Sequence, residues 1–245
     1  MTNYRLTIEY DGTNFEGWQM QSAGSRTVQG CLSAALARIT GRDVRCLGSG
    51  RTDAGVHAEG QVASARMETR LTPDELLKAV NANLPADVAV RDVRIVPEAF
   101  DARRDARSKH YRYRIWNDPV RSPLRARRSW WVRGALDLES MRKALPHVVG
   151  EHDFASFQAA GSDVTTTVRR LGRAEMNAGA GEIVLDFEAN GFLRYMVRNL
   201  VGTVVEIGRG RRAPDLAAVL AARDRAAAGP TAPPEGLTLV SVDYP

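Results

Sequence analysis

Ten consecutive residues, Gly48-Ser49-Gly50-Arg51-Thr52-Asp53-Ala54-Gly55-Val56-His57, bring three ionisable side chains onto one glycine-rich stretch. The glycines let the backbone take positive φ and come close to a ligand. The pattern is neither G-x-G-x-x-G nor a P-loop, because no Gly-Lys-Ser/Thr follows. A carboxylate next to an arginine is favoured in its ionised form. Asp53 is therefore suited to act as a nucleophile or a base. A plain turn, with the aspartate bonding its own backbone, fits the same spacing. Residue types alone leave both readings open.

Three other stretches carry candidate chemistry. Glu9-Tyr10-Asp11-Gly12-Thr13 mimics the DxDGT nucleophile loop of haloacid-dehalogenase phosphatases, but Glu9 stands where that chemistry needs an aspartate. No parallel α/β pattern follows, so Asp11 reads as a turn residue at a strand end. Asn14, Phe15, Gly17 and Trp18 extend this loop without a chemical role. Lys109-His110-Tyr111-Arg112-Tyr113-Arg114 alternates aromatic and basic residues. On a strand, Tyr111 and Tyr113 share one face and Arg112 and Arg114 the other. An aromatic on a sheet face within a basic segment is a platform for stacking bases. Core tyrosines with solvated arginines are the alternative, and the better account of Tyr113. In residues 193–207, Leu193, Met196, Val197, Leu200, Val201 and Val204 form an apolar helical stripe. Arg194 and Arg198, four apart, share a different face. One of them is placed to reach a buried carboxylate, with Arg194 the one expected in solvent.

Strands are expected at 4–10, 44–47, 61–67 and 88–96, and helices at 27–39 and from Pro73 to about Asn83. This order, strand–helix–strand–strand–helix–strand, is that of the split βαβ ferredoxin-like domain. A second set follows, with strands at 111–116, 130–132, 168–176, 183–189 and 237–242. Its helices fall at 138–149, 193–207 and 214–222. The expected fold class is α+β: two ferredoxin- or RRM-like halves, 1–104 and 105–245, sharing a mostly antiparallel sheet with helices on one face.

Composition narrows the function classes. The 245 residues are 44% hydrophobic and 26% charged, as in ordinary globular proteins. No apolar run approaches the roughly 18 residues of a membrane span, and no signal-peptide pattern opens the chain. Cys31 and Cys46 cannot form a CxxC site or a disulfide framework. The four histidines show no HxxxH or HExxH spacing. A membrane protein, a secreted disulfide scaffold and a zinc protein are therefore not expected, and a reducing, cytoplasmic compartment is. Net charge is +5, but residues 101–133 hold 11 basic and three acidic residues. That local excess describes a basic stripe suited to a phosphate backbone.

GSGRTDAGVHAEGQVAS resembles the catalytic motif of the tRNA pseudouridine synthase A (TruA) family. YDGTNFEGWQ, KHYRYRIWN, EHDFASF, NGFLRYMVRNLVGTVVEIGRG and EGLTLVSVDYP resemble further family blocks in the right order. Residues 118–133 and 159–177 match little. The resemblance implies the pseudouridine synthase fold and an isomerase acting on uridines in the anticodon arm of tRNA, at positions conventionally numbered 38, 39 and 40. It implies no metal or cofactor, and a homodimer in which one tRNA touches both subunits. By the same resemblance Asp53 is the essential aspartate, either attacking covalently or removing a sugar proton to give a glycal. Tyr111 stacks on the target uracil, Arg198 pairs with the aspartate, and Arg51 replaces the extruded base.

Three rivals remain. A non-catalytic RNA-binding protein explains the basic stripe and the tyrosines, but not the ionisable loop, and no RNP1-type string is present. A phosphatase using Asp11 would need a metal. A pseudouridine synthase with another RNA target would share the same motif residues.

Overall fold

The computed structural model describes residues 1–21, 24–159, 161 and 164–245. Residues 22 and 23 of the expected first loop lie outside the described residues. So do residues 160, 162 and 163 of the poorly matching segment. In chain order the elements are β1 (Thr2–Tyr10), α1 (Val28–Thr40), β2 (Cys46–Gly48), β3 (His57–Met67), α2 (Pro73–Asn83) and β4 (Val88–Val96). They continue with β5 (Ser108–Trp116), β6 (Trp130–Trp131), α3 (Leu138–Ala144), β7 (Gly150–Asp153), β8 (Val168–Gly179) and β9 (Glu182–Ala189). The last are α4 (Met196–Gly208), α5 (Leu216–Ala222) and β10 (Leu237–Asp243). The fold class is α+β with mostly antiparallel strands, as expected. Among the described residues, no helix is long and apolar enough to cross a membrane.

The chain divides into two compact units, Met1–Arg107 with Thr238–Pro245, and Ser108–Leu237. The order of elements along the chain predicts one half from 105 to 245. Residues from Thr238 onward instead group with the first unit, because β10 pairs in parallel with β3 through Thr238–His57 and Leu239–Ala58.

In the first unit β1 lies between β4 and β3, antiparallel to both, and β2 lies antiparallel on the other side of β3. The order β4-β1-β3-β2 is built from the expected split βαβ elements. Each helix starts and stops for a local reason. Thr27 caps α1 by accepting from Gly30 N–H, and Gly41 ends it in the left-handed conformation. Thr72 and Glu75 form a reciprocal capping box at the start of α2, with Pro73 in the first turn. Leu6 and Ile8 of β1 are fully buried, as are Leu32, Leu36, Leu76 and Val80 of the two helices. β1 and β3 slip register between Ile8 and Tyr10. Such a bulge re-aims side chains, and this one adjoins the loop that ends at β3.

In the second unit β5, β9, β8 and β7 pair antiparallel in that order, and β6 adds two residues in parallel to β5. Eleven of the 13 residues of α4 are buried, so this helix runs through the core. Three local expectations change. The helix expected at 138–149 ends at Ala144 and continues as a 3-10 turn, Leu145–Val148, since Pro146 has no N–H for the α-helical ladder. β7 is a strand that sequence patterning missed: Gly-Glu-His-Asp has no apolar alternation. Finally, α4 begins at Met196 rather than 193, because Tyr195 has φ +62°. Arg194 therefore precedes the helix and shares no helical face with Arg198.

Candidate active site

The loop from Ser49 to Val56 is fastened along its length. Ser49 N–H donates to Val62 O at 2.8 Å, and Ser49 Oγ donates to Gln61 Oε1 at 2.6 Å. Gln61 Nε2 donates to Gly50 O at 3.1 Å. Thr52 Oγ1 and Tyr10 Oη share a buried hydrogen bond of 2.8 Å. Burial pushes the Tyr10 phenol up to about 12, against the lowering effect of that bond, so the group stays protonated.

The segment following β1, whose residue types suggest no chemistry, supplies the rest. Trp18 N–H donates to Thr52 O at 3.1 Å, and Gly55 N–H donates to Phe15 O at 3.3 Å. Gly17 has φ +98°, and a Cβ there would sit 2.7 Å from Thr52 O. Gly12 faces the backbone of Val56 so closely that any Cβ would overlap Val56 O. Asp11 is the turn residue expected: Oδ1 accepts from Thr13 N–H at 3.0 Å and from Thr13 Oγ1 at 2.6 Å. His57 is 1% exposed. Its Nδ1 accepts from Gly12 N–H at 3.0 Å and lies 3.2 Å from Asp11 Oδ1. As acceptor, Nδ1 carries no proton, so a neutral ring is protonated on Nε2. Of the loop's three ionisable residues, His57 is thus built into its anchorage. Asp53 is half-buried and Arg51 is exposed.

The segment is itself braced. Arg26 makes a two-pronged bond to Asp87, at 2.9 and 2.8 Å, and its guanidinium lies 4.1 Å from the centre of the Phe15 ring. The sequence signal for this brace was the cluster of glycines and aromatics in DGTNFEGW. It reads as packing chemistry once the backbone approaches are known.

In the second unit Tyr111 is 7% exposed, edge-on to Phe192 with ring centres 5.1 Å apart. Tyr113 is a core residue, as expected for it: it is fully buried and donates its hydroxyl to Pro233 O at 2.7 Å. Arg198, on α4, donates from Nε to Ala232 O at 2.8 Å. Its guanidinium lies 4.7 Å from the centre of the Tyr195 ring. Arg194 is exposed, as expected.

On the face of β5 opposite Tyr111, the arginines are not simply solvated. Asp186, 2% exposed, accepts from Arg112 Nε at 2.9 Å and lies 2.6 Å from His110 Nε2. Burial alone would raise this carboxyl, but the bonds and charges of Arg112 and His110 outweigh it and hold it below its ordinary range. The sequence signal was a lone aspartate inside the apolar strand IVLDFEA. Other members of the basic stripe are committed as well. Arg104 lies 3.2 Å from Asp101. Arg125 bonds Glu182 at 2.8 Å and covers the Trp116 ring at 4.5 Å. Arg103, Arg107, Arg121, Arg127 and Arg133 are exposed. Among the described residues, no three His, Cys, Asp or Glu are grouped to hold a metal ion.

Comparison with known proteins agrees with these motifs. The family model described as tRNA pseudouridine synthase matches residues 6–105 and 144–245. A tRNA pseudouridine synthase A from Geotalea uraniireducens strain Rf4 is 47% identical over 245 residues, covering all of both chains. One from Solidesulfovibrio magneticus is 49% identical over 251 aligned positions, covering all of this chain and 92% of its own. One from Myxococcus xanthus is 46% identical, again over all of this chain and 92% of its own. With the fastened aspartate loop and both halves matched over their length, the chain belongs to the tRNA pseudouridine synthase A family, whose members are isomerases.

Proposed function

We propose that the protein converts uridine to pseudouridine in the anticodon arm of tRNA, at positions 38, 39 and 40, with Asp53 as the catalytic residue. The observation that carries this reading is the loop geometry. Thr52 O accepts from Trp18 N–H, Asp53 O from Val56 N–H at 3.2 Å, and Gly55 N–H is held by Phe15 O, while Asp53 is half-buried and Arg51 exposed. A backbone fixed on both sides of the reacting group limits where its side chain can go, which is what catalysis by positioning needs.

In the reaction the N1–C1′ glycosidic bond breaks, the uracil turns in its pocket, and C5 bonds to C1′. The C5 hydrogen then leaves to solvent. Asp53 acts as the nucleophile or as the base that takes a sugar proton. Tyr111 stacks on the uracil, and Arg198 pairs with the Asp53 carboxylate and keeps it ionised. A uridine inside a stem must leave the stack, at a cost on the order of a few kcal/mol. Arg51, filling the vacated space, offsets part of that cost, and phosphate contacts from exposed arginines such as Arg121 and Arg127 offset more. The enzyme works in the cytoplasm as a homodimer in which one tRNA touches both subunits.

Tritium release from tRNA transcripts carrying 5-tritiated uridine reads the chemistry directly, since C5 must lose its hydrogen. Asp53→Asn is nearly isosteric, so tRNA affinity should stay within about threefold while release falls by at least about 10³-fold. Equal release from both proteins would remove Asp53 from its role. No release from wild type on tRNA that it binds would favour a binding protein or another RNA target. Mapping the modified positions in the released product tests the anticodon-arm assignment.

A further inference from the structure

Residues 225–233 follow α5 as an Ala/Pro/Gly-rich loop, yet they are tied across α4 at the turn that carries Arg198. Arg198 is bound to Ala232 twice: Ala232 N–H donates to Arg198 O at 3.0 Å, and Arg198 Nε donates to Ala232 O at 2.8 Å. The next helical residue, Asn199, is fully buried and bonded at both ends of its amide. Its Nδ2 donates to Phe157 O at 2.8 Å, and its Oδ1 accepts from Thr231 Oγ1 at 2.7 Å and from Arg225 Nη2 at 3.1 Å. Arg225 also donates to Gly229 O at 2.9 Å and to Thr231 Oγ1 at 3.2 Å. One turn further along α4, Thr203 Oγ1 accepts from Gly229 N–H at 2.8 Å. Gly202 lets the segment lie directly on the helix, since a Cβ there would overlap Pro230 O.

An arginine on a helix surface samples many rotamers, and its charge by itself selects none of them. A carbonyl on Nε removes most of that freedom. It fixes the plane of the guanidinium, and with it the directions of the two Nη groups. The carbonyl can do this only if it is held still. Asn199, Arg225 and Thr231 hold it, through a network whose members each have several partners.

We propose that Asn199, Arg225 and Thr231 are positioning residues: they fix the 225–233 segment on α4 so that the Ala232 carbonyl sets the orientation of the Arg198 guanidinium for the isomerisation. This rests on the assignment of Arg198 to the active site given above. Asn199 and Thr231 are linked to Arg198 through the backbone and Ala232, so their effect is one of geometry on a neighbour.

Thr231→Val tests it, because it removes the hydroxyl and keeps the shape. Two readouts are compared: single-turnover tritium release with the tRNA dissociation constant, and solvent exchange of the Arg198 Nε–H in ¹⁵N spectra, assigned by its loss in Arg198→Lys. Thr231→Val should lower the single-turnover rate about tenfold with tRNA affinity within about twofold. It should also speed Nε–H exchange about tenfold as the bond to Ala232 loosens. An unchanged rate, or a lower rate with Arg198 Nε–H still protected, overturns the proposal. Full activity in Arg198→Lys would instead overturn the assignment of Arg198 itself. If Thr231→Val loses its circular-dichroism spectrum, Arg225→Gln makes the same test, since it keeps the Thr231–Asn199 bond and removes the brace behind it.

Discussion

The aspartate loop of the first unit and the start of α4 in the second reach a fixed geometry by opposite means. Around Asp53 much of the work is done by backbone groups and by glycines, Trp18 N–H on Thr52 O, Gly55 N–H on Phe15 O, and Gly12 and Gly17 against the loop, with a few neutral side-chain bonds such as Thr52–Tyr10 beside them. Around Arg198 it is done by side chains that are present, namely Asn199, Arg225, Thr231 and the ring of Tyr195. The first device allows almost no substitution at a few positions. The second is spread over many polar groups, each individually replaceable at moderate cost. The difference extends to charge. The bonds fastening the loop are largely between uncharged groups, whereas the second unit buries an ionised aspartate between Arg112 and His110.

The largest effect expected from this contrast is at Gly17. Gly17→Ala forces a left-handed φ on alanine and pushes a methyl group against Thr52 O. A loss of about 3 kcal/mol of stability is expected, a fall in Tm of about 10 °C for a chain this long. A thermal melt with less than about a third of that shift would mean that the loop moves aside and is not rigidly built.

Next in size is Asp186→Asn. The wild-type carboxyl titrates below its ordinary range in the folded protein. Its contribution is therefore present above the unfolded carboxylate value and is lost as pH falls through the lower folded one. The variant should be less stable by about 2 kcal/mol at neutral pH. The gap should close as the pH is taken down through the acid range, where the native carboxyl also becomes neutral. Urea midpoints at a series of pH values measure this, and a gap independent of pH would show that shape rather than charge matters at Asp186.

The smallest effect, and the one with opposite signs, is at Tyr195. Asparagine adopts the left-handed region more readily than tyrosine, so Tyr195→Asn should melt no lower than wild type. It also removes the ring on which Arg198 rests, so the single-turnover rate should fall. A variant that is both less stable and fully active would reverse the account of this residue.

Much of this was legible in the sequence, for identifiable reasons. Apolar alternation in β1, the Thr72–Glu75 capping box and Gly41 fixed elements through local rules that need no tertiary information. The Gly48–His57 stretch declared itself by composition. Asp53 and Arg51 stood out on it, although its residue types did not separate the reactive aspartate from the anchoring His57. What stayed hidden was long-range. Nothing in the spacing of Tyr10 and Thr52 announces a hydrogen bond across 42 positions, and an Ala/Pro/Gly-rich segment gives no hint that it binds a helix. Tyr195 breaks the helical stripe without breaking its periodicity, so pattern alone ran the helix three residues too far. Asp186 was overlooked because a single polar residue does not change the apolar character of its strand.

The parallel pairing of β10 with β3 has a consequence for biosynthesis. His57 and Thr238 are partners, but the ribosome adds about 180 residues between them, which takes roughly 10–35 s at ordinary elongation rates. Through that interval the strand leaving the aspartate loop lacks one of its neighbours. The nascent chain therefore holds an unfinished first unit, and it completes that unit only after the whole of the second has been made.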